Sequence, residues 1–143
     1  MILLDTGPIV AFFDASDDFY QICIDILKKI KEPLITTWPV LTEAFYLLGF
    51  SWKAQDNLWA FILRGGVEIS SLDLKMQARC RELMEKYKDL PMDLADGSLV
   101  VLAESKNLEK IFTLDHKDFK IYRFAKDKKF KLLPARLSVG SQK

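Results

Sequence analysis

The chain is poor in residues that bind soft metals or form disulfides: its 143 residues include only two cysteines and one histidine. Cys23 and Cys80 lack Cys-x-x-Cys spacing and lie beside apolar neighbours in periodic segments, so we expect two buried free thiols. With so few thiols and imidazoles, zinc sites of the usual Cys and His composition are excluded. No apolar run approaches the roughly 18 to 20 residues of a membrane span, and no basic leader precedes Ile2. We therefore expect a cytoplasmic protein with no membrane contact.

The net charge of the chain is only +1, but its two parts carry net charges of opposite sign. Residues 1–116 carry 12 basic and 18 acidic side chains, a net −6, whereas residues 117–143 carry 9 and 2, a net +7. Because half of the residues are apolar and the chain is short, we expect a single domain over residues 1–143. The basic C-terminal edge, residues 117–143, is either a solvated end or a contact for a polyanion. In the second case we expect it to hold an RNA backbone close to the acidic body.

Short apolar runs alternate with segments of helical periodicity. Alternation of this kind predicts an α/β fold, a three-layer α/β/α sandwich with a central, mainly parallel, twisted sheet. Beyond residue 120, two further strand-like runs at 121–124 and 130–133 predict an edge hairpin. The main predicted strands cover residues 2–4, 33–37, 67–69 and 110–114, and the predicted helices cover residues 17–31, 39–48, 52–64, 72–87 and 94–105.

Acidic residues follow the ends of the predicted strands. Asp5 and Asp115 come directly after the first and fourth strands, Glu43 lies early in the helix after the second strand, and Asp93 and Asp96 open the helix at 94. Ligands of open parallel sheets bind at the carboxyl ends of the strands, so we expect these acids to converge. Clustered carboxylates repel one another unless a cation neutralises them, and oxygen-only ligands suit Mg²⁺ or Mn²⁺. Such ions can drive phosphodiester hydrolysis without a protein nucleophile.

Each acid, taken alone, also has a structural explanation. Asp93 could cap the helix with Asp96 in its first turn, where negative charge is stabilising. Asp115 could begin an Asx turn, Asp5 could cap a turn, and Glu43 could be a solvated helix residue. A structural role for the whole set is costly, because the repulsion would remain uncompensated.

Two other enzyme classes with strand-end aspartates fit poorly. A haloacid dehalogenase phosphatase needs a second Asp two residues after the first, where this chain has Gly7. A response-regulator receiver needs an Asp after the third strand, where Ser70 and Ser71 stand. Both classes are therefore set aside.

Four short motifs resemble those of PIN domains in order and spacing over residues 1–125. They read Leu-Leu-Asp-Thr-Gly-Pro at 3–8, Thr-Glu at 42–43, Leu-Pro-Met-Asp-Leu-Ala-Asp at 90–96 and Thr-Leu-Asp-His-Lys-Asp-Phe at 113–119. The similarity is greatest to VapC-like toxins of bacterial toxin-antitoxin pairs. It implies an Mg²⁺- or Mn²⁺-dependent endoribonuclease with an RNA substrate and a cognate antitoxin as partner. By the same resemblance, the catalytic and metal-binding residues are Asp5, Glu43, Asp96 and Asp115.

The resemblance also implies supporting roles and leaves one alternative. Asp93 and Asp118 are candidate auxiliary acids, and Thr6 is a candidate to orient Asp5 through its hydroxyl. His116 is either a general acid or a solvated turn residue, and we expect the latter. The alternative function is a non-cleaving PIN-like module that binds RNA or a protein. A pure polyanion binder gains nothing from clustered negative charge, which argues against that alternative.

Aromatic residues are dense in the two helices after the second strand. We expect core packing for most of them, with a surface shared with a second copy or an antitoxin helix as the alternative. A homodimer is the assembly this surface predicts. The residues are Trp38, Phe45, Tyr46, Trp52, Trp59 and Phe61.

Overall fold

The computed structural model describes residues 1–137; the last part of the basic C-terminal edge, 138–143, lies outside the described residues. The strands are β1 (Ile2–Leu4), β2 (Leu34–Thr37), β3 (Glu68–Ser70), β4 (Lys110–Phe112), β5 (Arg123–Phe124), β6 (Lys128–Lys129) and β7 (Lys131–Leu133). The helices are α1 (Thr6–Phe12), α2 (Tyr20–Lys29), α3 (Trp38–Leu47), α4 (Trp52–Leu63), α5 (Leu74–Lys86), α6 (Leu94–Lys106) and α7 (His116–Phe119).

Five strands form one central sheet in the order β3-β2-β1-β4-β7, and every pairing in it is parallel. Helices flank the sheet, so the predicted three-layer α/β class is confirmed. Parallel strands need crossover connections, and the long connections that carry α1 to α6 provide them. A parallel sheet also puts the carboxyl ends of β1, β2 and β4 at one edge, where the acidic residues follow.

Burial explains why the central elements form as they do. All residues of β1 and β2 are buried, as expected for strands covered on both faces. Helix α6 is buried along most of its length, which matches apolar residues that nearly encircle it in the sequence. Cys23 and Cys80 are both free and buried, as predicted. No helix within residues 1–137 has the length and apolar character needed to cross a bilayer.

The predicted edge hairpin is wrong in its pairing. The antiparallel pair joins β5 to β6, and the run at 131–133 instead forms β7, which pairs in parallel with β4 at the edge of the main sheet. Ala125 and Asp127 have positive φ angles of 48° and 64°, which lets the chain reverse tightly between β5 and β6. Phe124 and Phe130, on either side of this turn, are buried and pack with ring centroids 4.8 Å apart.

Candidate active site

A cleft of about 600 Å³ opens at the carboxyl edge of the sheet. The ends of β1 and β4 and the start of α6 meet there, together with one face of α3. The cleft lining includes every acid predicted from the sequence, and it adds Asp17 from the α1–α2 connection, which sequence reasoning missed. The predicted residues in the lining are Asp5, Thr6, Glu43, Asp93, Asp96, Asp115 and Asp118.

Asp5 is the most enclosed of these acids, with 6% of its surface exposed. It caps α1, where its Oδ1 accepts a hydrogen bond of 2.8 Å from the Thr6 backbone N–H. Its Oδ2 accepts a second bond of 2.7 Å from the Thr113 hydroxyl. Burial raises the pKa of Asp5 to about 6; the two hydrogen bonds oppose that rise, and the charges of Asp115 and Glu43 add to it.

Thr113, directly after β4, forms a hydrogen bond to Asp5, directly after the neighbouring strand β1. Its hydroxyl donates to Asp5 and accepts a bond of 2.9 Å from the Asp115 backbone N–H. The sequence motif contained Thr113 but indicated no role for it. The predicted orienting role of the Thr6 hydroxyl is wrong, since Thr6 contacts Asp5 through its backbone N–H. The Thr6 Oγ1 is buried beside the cleft and has no hydrogen-bond partner among residues 1–137.

Asp93 and Asp96 occupy the first turn of α6 with different environments. Asp93 is exposed and caps the helix, accepting a bond of 2.8 Å from the Asp96 N–H, so its structural explanation is correct. The Asp96 carboxyl is half-buried, and its Oδ2 accepts a bond of 2.9 Å from the Tyr122 hydroxyl. Burial raises the pKa of Asp96 to about 8, and the neighbouring charges of Asp5 and Asp93 add to the rise.

Asp96, Asp115 and Asp118 form the tightest acidic group in the cleft, with one carboxylate oxygen of each within 4.8 Å of the others. Asp115 caps the short helix α7, accepting a bond of 3.1 Å from the Asp118 N–H. This turn brings Asp118 back towards Asp115, and burial, followed by the Asp115 charge, raises the pKa of Asp118. Asp118, which we expected to be an auxiliary acid, therefore lies beside Asp96 and Asp115, two of the four predicted metal-binding residues.

Comparison with known proteins gives the family. A family model described as the PIN domain matches residues 2–126. The chain belongs to the PIN domain family. It is similar to Ribonuclease VapC26 of Mycobacterium tuberculosis, with 23% identity over 135 residues that cover 93% of this chain and all of the relative.

Solved structures with the same fold include those of a toxin and of toxin-antitoxin complexes. The crystal structure of Mycobacterium tuberculosis VapC20, described as a Sarcin-Ricin loop cleaving toxin, has a TM-score of 0.71 at 16% identity, covering 78% of this chain and 87% of that chain. A toxin-antitoxin complex from Klebsiella pneumoniae gives 0.65 at 18%, covering 83% and 90%. VapBC2 from Rickettsia felis bound to a promoter DNA fragment gives 0.62 at 21%, covering 92% and 98%.

The cleft of this PIN domain suits a hard divalent cation. The ligand atoms it offers are carboxylate oxygens, spaced closely enough for three of them to share one ion. Burial, with added contributions from neighbouring carboxylates, raises the pKa values of Asp5 and Asp96, and a bound cation would favour their ionised forms. The Thr6 hydroxyl, which is buried and has no partner in the described part of the chain, is a further polar group with capacity to bond a ligand.

The structure also shows where His116 and part of the basic C-terminal edge lie relative to the cleft. His116 is not among the described residues lining the cleft; its Nε2 lies 3.1 Å from the Thr113 carbonyl oxygen, and burial lowers its pKa. Lys128 and Lys129 of β6 belong to the basic C-terminal edge that we expect to hold an RNA backbone, and they follow a turn next to the later part of α6. The β5–β6 turn packs where Ala125 N–H donates to Glu104, eight residues beyond Asp96 and so about 12 Å along α6.

The aromatic residues of α3 and α4 form an exposed apolar surface, so the expectation of core packing is wrong for most of them. We call this surface the α3–α4 face; helical spacing puts Trp52, Trp59 and Leu63 on one stripe of α4 and puts Trp38 and Phe45 on one stripe of α3. The two stripes meet where Phe45 and Trp59 pack with centroids 4.8 Å apart. Phe61 is buried, as core packing requires. The exposed members are Trp38, Tyr46, Trp52, Trp59 and Leu63.

Proposed function

We propose that this PIN domain is a cytoplasmic endoribonuclease that uses Mg²⁺ or Mn²⁺ to hydrolyse phosphodiester bonds in RNA, as the toxin of a toxin-antitoxin pair. The observation that carries the proposal is the convergence of Asp96, Asp115 and Asp118 within 4.8 Å in a cleft that also contains Asp5 and Glu43. The names of the similar proteins, ribonuclease and toxin, support the same activity.

In this proposal Asp5, Glu43, Asp96 and Asp115 hold the metal, and the position of Asp118 makes it a further candidate ligand. When bound, the ion supplies charge that neutralises the phosphate and activates water. The remaining work falls to the protein. Thr113 and the Thr6 N–H hold both oxygens of Asp5 at the floor of the cleft. A fixed carboxylate needs no reorganisation when a ligand arrives.

The proposal predicts internal cleavage of single-stranded RNA by the purified chain in Mg²⁺ or Mn²⁺ and its loss in EDTA. The physical reason is that the cleft supplies carboxylates rather than a nucleophile of its own. Gel analysis of end-labelled RNA, with and without EDTA, measures this. Cleavage that persists in EDTA would contradict the mechanism, and RNA binding without any cleavage would favour the non-cleaving module.

We further propose that the α3–α4 face is covered by a second copy of this chain or by an antitoxin helix. Large apolar side chains exposed together on one surface mark interaction sites in soluble proteins. The similar solved structures include toxin-antitoxin complexes, which supports a partner protein.

A matched pair of substitutions tests this surface. Leu63, on the face, is 79% exposed, and Leu74, at the start of α5 and outside the face, is 81% exposed. Leu63→Ser should weaken self-association or antitoxin binding roughly 10- to 100-fold, the effect of losing one buried leucine, while Leu74→Ser should not. Analytical ultracentrifugation gives both results. A wild type that stays monomeric at tens of micromolar, alone and with any co-encoded partner, would exclude the proposal.

A further inference from the structure

Tyr122 lies in the connection between α7 and β5, outside the four acidic motifs, and its side chain is fully buried. Its ring packs edge-on against Phe119 and Tyr87, with centroid distances of 5.0 and 5.1 Å. Contacts on two sides fix the direction of the ring, because aromatic cores are packed as densely as crystals. The hydroxyl at its end is therefore held in one place.

That hydroxyl donates to the Asp96 Oδ2 at 2.9 Å. A phenylalanine at this position could make the same ring contacts. A buried hydroxyl, in contrast, needs an acceptor, because without one it would destabilise the fold. Packing therefore does not account for the oxygen. Its acceptor is a carboxylate of the cleft, which keeps its second oxygen available to a ligand.

Asp96 needs such support more than its neighbours do. Asp5 has two hydrogen-bond donors, and Asp115 is held by its backbone bond to Thr113 and by its capping of α7. For the Asp96 carboxylate, the hydrogen bond from Tyr122 is the one that the described residues provide. Without it, the side chain would be free to leave the position that it shares with Asp115.

We propose that Tyr122 is a positioning residue that holds the Asp96 carboxylate in place for a divalent cation, an inference that rests on the proposed function. The hydrogen bond links the metal site to the aromatic cluster under the C-terminal segment, formed by Phe119, Tyr122, Phe124 and Phe130. Groups that orient a metal ligand without touching the metal typically change affinity 10- to 100-fold when they are removed.

Tyr122→Phe tests the hydroxyl alone, and Tyr87→Phe is the matched control. Tyr87 packs against the same ring, but its hydroxyl accepts from the Arg123 backbone N–H and makes no hydrogen bond to a carboxylate of the described residues. Calorimetric titration with Mn²⁺ alone should show Tyr122→Phe binding roughly 10- to 100-fold more weakly than wild type, with Tyr87→Phe unchanged. In RNA cleavage, the Mn²⁺ requirement should rise by a similar factor, and kcat at saturating Mn²⁺ should recover to within a few-fold.

Phe119→Leu separates positioning from packing, since it loosens the same cluster and keeps the hydroxyl. It should lower the melting temperature and weaken Mn²⁺ binding by less than Tyr122→Phe does, because the hydroxyl can still reach Asp96. Equal Mn²⁺ affinity of Tyr122→Phe and wild type would overturn the proposal, as would an equal loss in Phe119→Leu or a Tyr122→Phe chain that does not fold. A wild type that binds no Mn²⁺ or Mg²⁺ would instead overturn the proposed function.

Discussion

Asp96→Asn should abolish RNA cleavage while leaving the metal-free protein as stable as wild type or more stable. Asparagine has nearly the same size, and its carbonyl oxygen can still accept from the Tyr122 hydroxyl. What disappears is a negative charge that burial and the charges of Asp5 and Asp93 disfavour. For catalysis, we expect the loss of this metal-binding carboxylate to remove several kcal/mol of transition-state stabilisation. This corresponds to at least about a 100-fold fall in kcat/KM.

We expect Asp96→Asn to raise the free energy of unfolding by roughly 1 to 3 kcal/mol at pH 8. The gain is no larger because water that enters the open cleft screens part of the repulsion between the acids. Asp73→Asn is the control, because Asp73 caps α5 as a helix-start acid outside the cleft. Its loss of charge should slightly lower stability. Chemical unfolding in EDTA measures both changes.

The opposite result is equally specific. If Asp96 only stabilised the helix start, its neutralisation would cost about 0.3 to 1 kcal/mol, as for Asp73. Thermal melts add a second criterion, since Mg²⁺ stabilises the native state only where the site can hold it. Asp96→Asn that melts lower in EDTA, gains as much from Mg²⁺ as wild type and still cuts RNA would mean that the site assignment is wrong.

The metal-free protein should lose stability as the pH rises from 5 to 8. Asp5 and Asp96 have folded-state pKa values of about 6 and about 8, above the ordinary 3.8. The folded state therefore binds these protons more tightly than the unfolded state, so the free energy of unfolding falls as each proton is lost. Asp118, whose pKa burial also raises, adds to this fall, whereas His116 opposes it within the window because burial lowers its pKa below the ordinary 6.5. Glu32 also acts in the opposite direction, because its hydrogen bond from Lys110 lowers its pKa, but its titration lies below its ordinary value of 4.5 and outside this window.

The expected fall is about 2 to 4 kcal/mol between pH 5 and pH 8, measured by urea unfolding in EDTA at each pH. Saturating Mg²⁺ should reverse the trend, because a bound cation favours the ionised carboxylates. Asp96→Asn should lose the part due to Asp96 and retain the part due to Asp5, which ends near pH 7. Stability that is constant or rises over this range in EDTA would show that burial and neighbouring charges do not disfavour the ionised carboxylates of Asp5 and Asp96 as described.

The position of the acids was predictable because it depends on local features. Asp5 and Asp115 follow apolar strands directly, and parallel strands bring such positions to one edge whatever the details of packing. The motif order then separated this family from other strand-end aspartate enzymes. Asp118 was harder to place, since its approach to Asp115 depends on one turn of helix that the sequence presents as a loop.

The hydrogen bonds around the acids were not predictable in the same way. Thr113 and Tyr122 contact acids that are 108 and 26 residues away in the chain, and no local pattern relates such positions. Likewise, the pairing of the run at 131–133 depends on the free edge of β4, which exists only once the sheet has formed. The exposure of the α3–α4 face was misjudged because helical periodicity shows a stripe but not which side is covered.

The most direct test of the central claim is a Mn²⁺ titration followed simultaneously by calorimetric binding and by cleavage of single-stranded RNA under the same buffer conditions. If the carboxylate cleft holds the ion that is needed to cut RNA, cleavage should be absent in EDTA and should rise with the occupancy of the site, so that the two midpoints coincide. Cleavage that is complete before the ion binds, or that continues in EDTA, would contradict the account.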